Sequence, residues 1–513
     1  MEKYKQIKYN FSGERETVRS QLRKFSVNDA LKQINKESVD LLYNWSDSNI
    51  KAVKRVEVSL CQKGSTIYKR QGIFITAWTL IDLAYYLILA SNDYIGKKIE
   101  KREEIYLLSA VVNNYNEQKE SNFLDRQKEN EDYKFFMYFW GFVGEQIKME
   151  MPTSIYNNSI RDLYILFEIN DSEAFNIEKL VYTEVGLSWQ EVIAFLIIAW
   201  YGFTNVNTLE EIIHNVTWRN KEYGTQFEKL IKRYTADYDE IRKSPLGRQS
   251  LYAKPYIKTD KGEVISVSAY LNLFLCEHSI LWIIRDQFKK NASQEFTNYY
   301  GELFEQYFGE LLGTYLSEGE YEKIPETKNE RADWKLYIGE YKFLVEQKST
   351  VLCLSAKQQQ TDINVIEDFA RKTVIKAISQ LENTEKEFDE GKFIKIILLY
   401  DDYLNPHLLE KIMDMPECTI KNDNYFWIAT INELEMLFSV AKTDRKLFDA
   451  IVEEKINREV SHSQNGRSFA QIMNEKGIIQ NDYINQGKFN EYKDEVRNTI
   501  DRLCEYVTKT QTI

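Results

Sequence analysis

The chain has 513 residues, a formal net charge of −12, 43% hydrophobic and 28% charged residues, and few breakers beside many aromatics (20 Gly and 6 Pro against 34 Tyr and 27 Phe). This composition excludes wholesale disorder and a histone-like polybasic binder, and it favours long, helix-rich elements with room for about three folding units. The five cysteines are dispersed without a C-x-x-C pair, there are only four histidines, and no G-x-G-x-x-G, Walker A or G-x-S-x-G pattern occurs, so a disulfide scaffold, a zinc ribbon, dinucleotide binding, NTPase and α/β-hydrolase chemistry all lose their usual anchors.

The opening MEKYKQIKYNFSGERE is polar and lacks an apolar signal core, so a reducing cytoplasm is the expected compartment. Helical spacing of apolar residues predicts helices over 28–45, 72–90, 103–114, 132–149 and 189–201. The apolar run 73–90 is marginal in length for a membrane span and carries Asp82, and the run 192–203 is too short, so both read as buried helices and no membrane partner is expected. Asn207-Thr208 followed by Glu210 and Glu211 resembles a capped helix start. Residues 253–268 read as two short strands around an Asp-Lys-Gly turn, followed by one helix over 269–288. His278 within it reads as a packed core histidine. The basic groups Lys54, Arg55, Lys69 and Arg70, and Arg242, Lys243 and Arg248, read as solvated loops, although such groups can touch phosphates.

After residue 290 the pattern changes. An amphipathic helix is expected over 298–316, strands over 321–324, 332–338 and 341–350, and a long helix over 362–388. A buried strand over 393–402, a short helix after Asn405-Pro406, a strand over 425–430 and a helix over 433–440 complete this unit. The polar stretch 461–468 leads into a helical pattern over 489–506. The expected organisation is a helical recognition or oligomerisation region over 1–290, an α/β unit with a mixed sheet over 291–460, and a helical tail over 461–513.

The segment ADWKLYIGEYKFLVEQKS (332–349) holds the densest chemistry. A two-residue turn at Gly339-Glu340 sets Trp334 opposite Val345, Leu336 opposite Phe343 and Ile338 opposite Tyr341, making one face of the hairpin fully apolar. The same register sets Asp333 opposite Glu346, with Lys348 on that face two residues on. Directly opposed carboxylates have Cβ atoms about 4.5–5.5 Å apart and repel, so a proton or a cation must sit between them. A hard divalent cation suits such oxygens. Asp333, Glu346 and the backbone carbonyl of Gln347 can supply its ligands, and Lys348 can orient or deprotonate an attacking water and stabilise phosphate charge.

Asp333 followed after twelve residues by Glu346-Gln347-Lys348 at the end of an apolar strand resembles the signature of the PD-(D/E)XK nuclease superfamily. Gly301-Glu302-Leu303-Phe304-Glu305 resembles that fold's first core helix, and Glu305 stands where many members place a further metal-binding glutamate. The resemblance covers about residues 295–455. It implies a restriction-endonuclease-like α-β-β-β-α-β core with a mixed sheet, joined to a mostly helical N-terminal region in an α+β or α/β multidomain chain. It also implies Mg²⁺-dependent hydrolysis of phosphodiester bonds, with Mn²⁺ as a substitute, and DNA as the usual substrate. Gln380 is the position nearest to the glutamine that some members hold near the site, without the tyrosine four residues on. Ala332 replaces the proline of the superfamily's name. The tripeptide also recurs at Glu117, Glu326 and Glu453, where a solvated charge pair is the plain reading; strand context separates Glu346 from these. The architecture is similar to that of bacterial restriction or phage-defence effectors. Two other readings stay open: the same core acting on RNA or branched DNA, and a catalytically silent protein that binds nucleic acid or a partner.

Overall fold

The computed structural model describes residues 15–43, 53–61, 68–94, 96–99, 101–127, 149, 152–204, 209–290, 294–325, 330–349, 367–368, 370–388, 390–400, 412–413, 415–418, 425–457 and 468–507. Helices predominate, and ten strands form three sheets among these residues. The expected helices at 132–148 and after Asn405-Pro406, and the start of the long helix at 362–366, lie outside the described residues.

Strands β1 (Val53–Cys61) and β2 (Tyr68–Thr76) form an antiparallel two-stranded ribbon, where sequence suggested loops and a helix from residue 72. The helix starts only at Ala77, because Thr76 ends the strand and caps it: the Thr79 N–H donates to Thr76 Oγ1 and the Thr76 N–H to Thr79 Oγ1, each at 3.1 Å. Asp82, inside this Ala77–Ala90 helix, is buried against Arg248 and accepts from Asn116 at 2.8 Å. Arg248 is thus an interior cation rather than a solvated loop residue. Arg242 lies on the Tyr238–Lys243 helix and donates to the Ile88 and Ser91 carbonyls at 2.9 and 2.8 Å, satisfying the last turn of the same Ala77–Ala90 helix.

Strands β3 (Thr235–Asp237), β4 (Tyr256–Lys258) and β5 (Val264–Ser266) form a small mixed sheet, with Gly262 at φ 88° in the turn between β4 and β5. The expected helix over 269–288 is two helices, Ala269–Cys276 and Ser279–Lys290. It breaks at Glu277-His278, where His278 has φ 53°. Tertiary bonds pull both side chains to the Pro152–Tyr164 helix: Asn158 donates to Glu277 at 2.9 Å, and His278 Nδ1 meets Asp162 Oδ2 at 2.7 Å. No glycine or proline marks the break.

The five-stranded sheet contains β6 (Tyr321–Lys323), β7 (Trp334–Ile338), β8 (Tyr341–Lys348), β9 (Ile394–Leu399) and β10 (Phe426–Thr430), in the order β10-β9-β8-β7-β6. β6, β7 and β8 form an antiparallel meander, and β8, β9 and β10 are parallel, so the sheet is mixed. All of β9 is buried, as expected for a strand covered on both faces. On one face Trp334, Leu336, Phe343, Val345, Ile396 and Leu398 pack in a cluster with Leu303, Phe304, Tyr307 and Phe308 of the Glu295–Tyr315 helix. On the other, Leu344, Ile397 and Leu399 pack with Ile378 and Leu381 of the Lys376–Phe388 helix. The first cluster continues through Phe195 and Phe227 before residue 290 and through Phe489 and Leu503 after residue 460. A separate cluster holds Leu22, Ile34, Leu80, Leu108 and Leu271. No single helix among the described residues is long and apolar enough to cross a membrane.

Candidate active site

The hairpin register is the one its apolar face demands: Trp334 pairs with Val345, Leu336 with Phe343 and Ile338 with Tyr341, across a turn in which Gly339 has φ 63°. Asp333 lies one residue before β7. Its N–H donates to the Val345 carbonyl at 3.0 Å, and its carbonyl accepts the Ile324 N–H at 2.8 Å, so its backbone is held between two strands. The preceding Ala332 N–H donates to Thr384 Oγ1 on the Lys376–Phe388 helix at 2.8 Å.

Alternation along β8 then sorts the side chains. Gln347 turns toward the Glu295–Tyr315 helix, accepting from Trp334 Nε1 at 2.7 Å and donating to the Phe304 carbonyl at 3.3 Å. Glu346 and Lys348 turn to the opposite face. Lys348 Nζ donates to Glu346 Oε1 at 2.5 Å and to Gln380 Oε1 at 3.0 Å, and Gln380 Nε2 donates to the Arg331 carbonyl at 3.1 Å. Asp333 Oδ2 accepts the Gln347 backbone N–H at 2.6 Å.

The electrostatics follow from burial. Glu346 is only 2% exposed. Desolvation first, and the Asp333 charge second, push its carboxyl up to about 8, against the pull of Lys348. Burial likewise pushes the Asp333 carboxyl up to about 6; the Gln347 N–H and Lys348 oppose the rise, and Glu305 adds to it. Glu346 Oε1 is occupied by Lys348, while Oε2 is buried with no hydrogen-bond partner among the described residues. A buried anionic oxygen without a partner is costly, and a cation or a proton there removes the cost.

Asp333, Glu346 and Lys348 therefore come together at one end of the β7–β8 pair, and Gln380 joins them through Lys348. Glu305 stands close enough to act on Asp333, and its carboxylate pairs with Lys323 Nζ at 2.8 Å. Gln347 reaches Asp333 through its N–H. Among the described residues no group of three or more His, Cys, Asp or Glu is arranged to hold a metal ion. The donor set is two hard carboxylates, one of them with an oxygen to spare. That suits Mg²⁺ or Mn²⁺, ions that keep several waters and take one or two carboxylates with phosphate oxygens completing the shell. Sequence reasoning missed Lys323 and the Arg331 carbonyl. Lys323 had a signal: in register it pairs with Trp334, next to Asp333. The Arg331 carbonyl had none, because its role depends on where a helix fifty residues later comes to lie. No protein-family model, curated protein or solved structure matches this chain.

Proposed function

We propose that this chain is a metal-dependent nuclease of the PD-(D/E)XK kind that hydrolyses phosphodiester bonds of DNA, with Asp333, Glu346 and Lys348 as its catalytic residues. The observation that carries this reading is the convergence of those three side chains, with Glu346 Oε2 buried and without a hydrogen-bond partner among the described residues. The run of a helix, the β6-β7-β8 meander, a helix on the other face and a parallel β9 supports a restriction-endonuclease-like core. A role as a bacterial restriction or phage-defence effector rests on analogy of architecture alone.

In this reading the chain's residues have distinct tasks. The Gln347 N–H fixes the orientation of the Asp333 carboxylate. Lys348, held between Glu346 and Gln380, fixes Glu346 Oε1 and leaves Oε2 to face the metal site. Its ammonium also orients the attacking water and offsets charge on the phosphate. A bound Mg²⁺ or Mn²⁺ would supply Lewis-acid stabilisation of the phosphate and a lowered pKa for a coordinated water. Gln380 bridges Lys348 to the Arg331 carbonyl, so it positions the lysine.

The test is incubation of the purified chain with plasmid and Mg²⁺ or Mn²⁺, beside Lys348→Ala and beside excess EDTA. Cleavage by the wild type alone, abolished by EDTA, is the expected result. Parallel labelled RNA and branched-DNA substrates identify the polymer. One observation favours a second reading. The 2.5 Å ion pair and the Gln380 bridge also describe a closed structural network, the arrangement expected of a catalytically silent binding protein. In that case no divalent ion yields products, and Lys348→Ala changes stability alone.

A further inference from the structure

We propose that Lys323 is a built-in counter-cation of the Asp333 centre: its ammonium holds the Glu305 carboxylate, and a divalent ion gains Glu305 as a further ligand only by displacing it. The proposal rests on the reading of Asp333 and Glu346 as metal ligands, and it names what sets the affinity of that site for its ion.

Main-chain bonds fix where this lysine stands. Lys323 is the last residue of β6 and pairs with Trp334, and the next N–H, that of Ile324, donates to the Asp333 carbonyl at 2.8 Å. Alternation sends the Lys323 side chain to the face of Trp334, which the Glu295–Tyr315 helix covers. That helix is tied to β8 right beside Glu305, because the Phe304 carbonyl accepts from Gln347 Nε2 at 3.3 Å. The two side chains meet there, with Lys323 Nζ 2.8 Å from Glu305 Oε1. Both charges reach Asp333 and oppose each other: Glu305 pushes its carboxyl up and Lys323 pulls it down. A lysine on an edge strand also deters stray strand pairing. That role asks only for contact with water, whereas this ammonium is bonded to an acid that is 22% exposed and stands beside a second one.

The charges divide the site in two. Lys348 is engaged with Glu346 and Gln380, and Lys323 serves the Glu305 side. Glu305, Asp333 and Glu346 are not arranged as a metal-holding group; in the proposal, the Lys323 pair is what turns Glu305 aside. An ammonium brings one charge to that carboxylate and a divalent ion brings two, so the ion wins the exchange at a cost in affinity equal to breaking the pair. The exchange is open sterically. Lys323 is 54% exposed, and its ammonium can swing into water without burying charge.

The experiment measures ion binding without nucleic acid, so no cleavage is read. Mn²⁺ is titrated into the full-length chain at fixed pH, and free Mn²⁺ is followed by electron paramagnetic resonance. Lys323→Gln is expected to tighten Mn²⁺ binding about tenfold, the order expected when one positive charge is removed beside a divalent ion in a partly solvated site. A tighter site is a gain that misfolding cannot mimic. Lys323→Arg keeps the cation and is expected to bind Mn²⁺ as the wild type does. In a Glu305→Gln background, Lys323→Gln is expected to change the affinity by less than about twofold, because the lysine acts through Glu305. Lys376→Gln removes an equal charge from the helix that carries Gln380, where Lys376 pairs with Glu330 at 2.9 Å, and is expected to leave the affinity unchanged.

The proposal is overturned if Lys323→Gln binds Mn²⁺ no more tightly than the wild type, or if it tightens binding equally with and without Glu305. It is also overturned if Lys323→Arg or Lys376→Gln tightens binding as much as Lys323→Gln does. In each of these cases the metal-site reading stands as long as Glu346→Gln abolishes the wild type's Mn²⁺ binding. A wild type that binds no Mn²⁺ sensitive to Glu346→Gln overturns that reading itself, and this proposal with it.

Discussion

Glu435 and Glu346 are both carboxylates taken almost entirely out of water, each facing a cation, and their surroundings could hardly differ more. Glu435, on the Ile431–Thr443 helix, receives Arg161 through two parallel bonds of 2.7 Å, a 2.5 Å bond from the Tyr307 hydroxyl, and a further bond from Asn481. Arg161 also donates to Asn158 at 2.6 Å, and neither partner of the pair is exposed. The next residue, Asp162, gathers His278, Tyr300 and Tyr400. Glu346 has one lysine on one oxygen and, among the described residues, no hydrogen-bond partner on the other. A saturated buried network holds elements together; a half-satisfied one stores cost, which a ligand can relieve. The two regions touch at Tyr400, whose N–H donates to the Lys348 carbonyl at 3.2 Å.

The sharpest way to break this contrast is to delete one member of each cluster. Asp333→Ala, Glu346→Ala and Lys348→Ala should each reduce plasmid cleavage by about a thousandfold or more, with an unfolding midpoint close to that of the wild type. Arg161→Met should do the reverse: it strands Glu435 in the interior and costs about 3–5 kcal/mol of stability. Pairing it with Glu435→Leu should recover much of that loss, because no charge is then left buried alone. Urea unfolding and cleavage assays on the same preparations decide the matter. If Lys348→Ala proved as destabilising as Arg161→Met, the two clusters would be the same kind of object.

The register around Asp333 was readable from sequence because one hairpin face is wholly apolar and Gly339-Glu340 fixes the turn; a slip of one residue would expose Trp334, Leu336, Phe343 and Val345 together. The Arg161–Glu435 network was not readable. Its partners lie far apart in the chain, and nothing local distinguishes these charges from solvated ones. The same holds for Arg248, which looked like a loop cation and is buried on Asp82. The β1–β2 ribbon was hidden by its composition. Charged and apolar residues alternate imperfectly along β1, and the run after Gly72 has helical spacing until Thr76 caps it. The break at His278 is imposed by Asn158 and Asp162 from another helix, so no local turn signal marked it.

Titration sharpens the comparison with a smaller effect. A carboxyl whose pKa is higher in the folded than in the unfolded state binds more protons when folded, so unfolding becomes easier as pH rises. For Asp333 and Glu346 this contribution is complete below their ordinary values of 3.8 and 4.5, and is lost as pH passes about 6 and about 8. Urea midpoints in EDTA should therefore fall more steeply between pH 5 and 8 in the wild type than in Glu346→Gln. Saturating Mg²⁺ should restore the wild type at pH 8 and leave the variant nearly unchanged. Glu435→Gln leaves Asp333 and Glu346 in place and should keep the wild type's response to Mg²⁺.

The smallest effect belongs to Gln380, and it separates positioning from structure. The side chain gives Lys348 Nζ one acceptor and holds the Arg331 carbonyl with one donor. Gln380→Ala removes two bonds at a partly open site, each worth about 1 kcal/mol net, so the midpoint should move little. Lys348 keeps its contact with Glu346 but loses the partner that fixes its direction. Cleavage should then fall about tenfold in kcat with KM unchanged, because the lysine's aim matters most once charge builds on the phosphate. Gln380→Glu retains an acceptor for Lys348 and adds a carboxylate near Glu346 and Asp333; it should recover part of the rate at high Mg²⁺ and little at low Mg²⁺. A Gln380→Ala enzyme with wild-type kcat would mean that Lys348 is oriented by Glu346 alone, and the bridge to Arg331 would then belong with the saturated network around Glu435 rather than with the metal site.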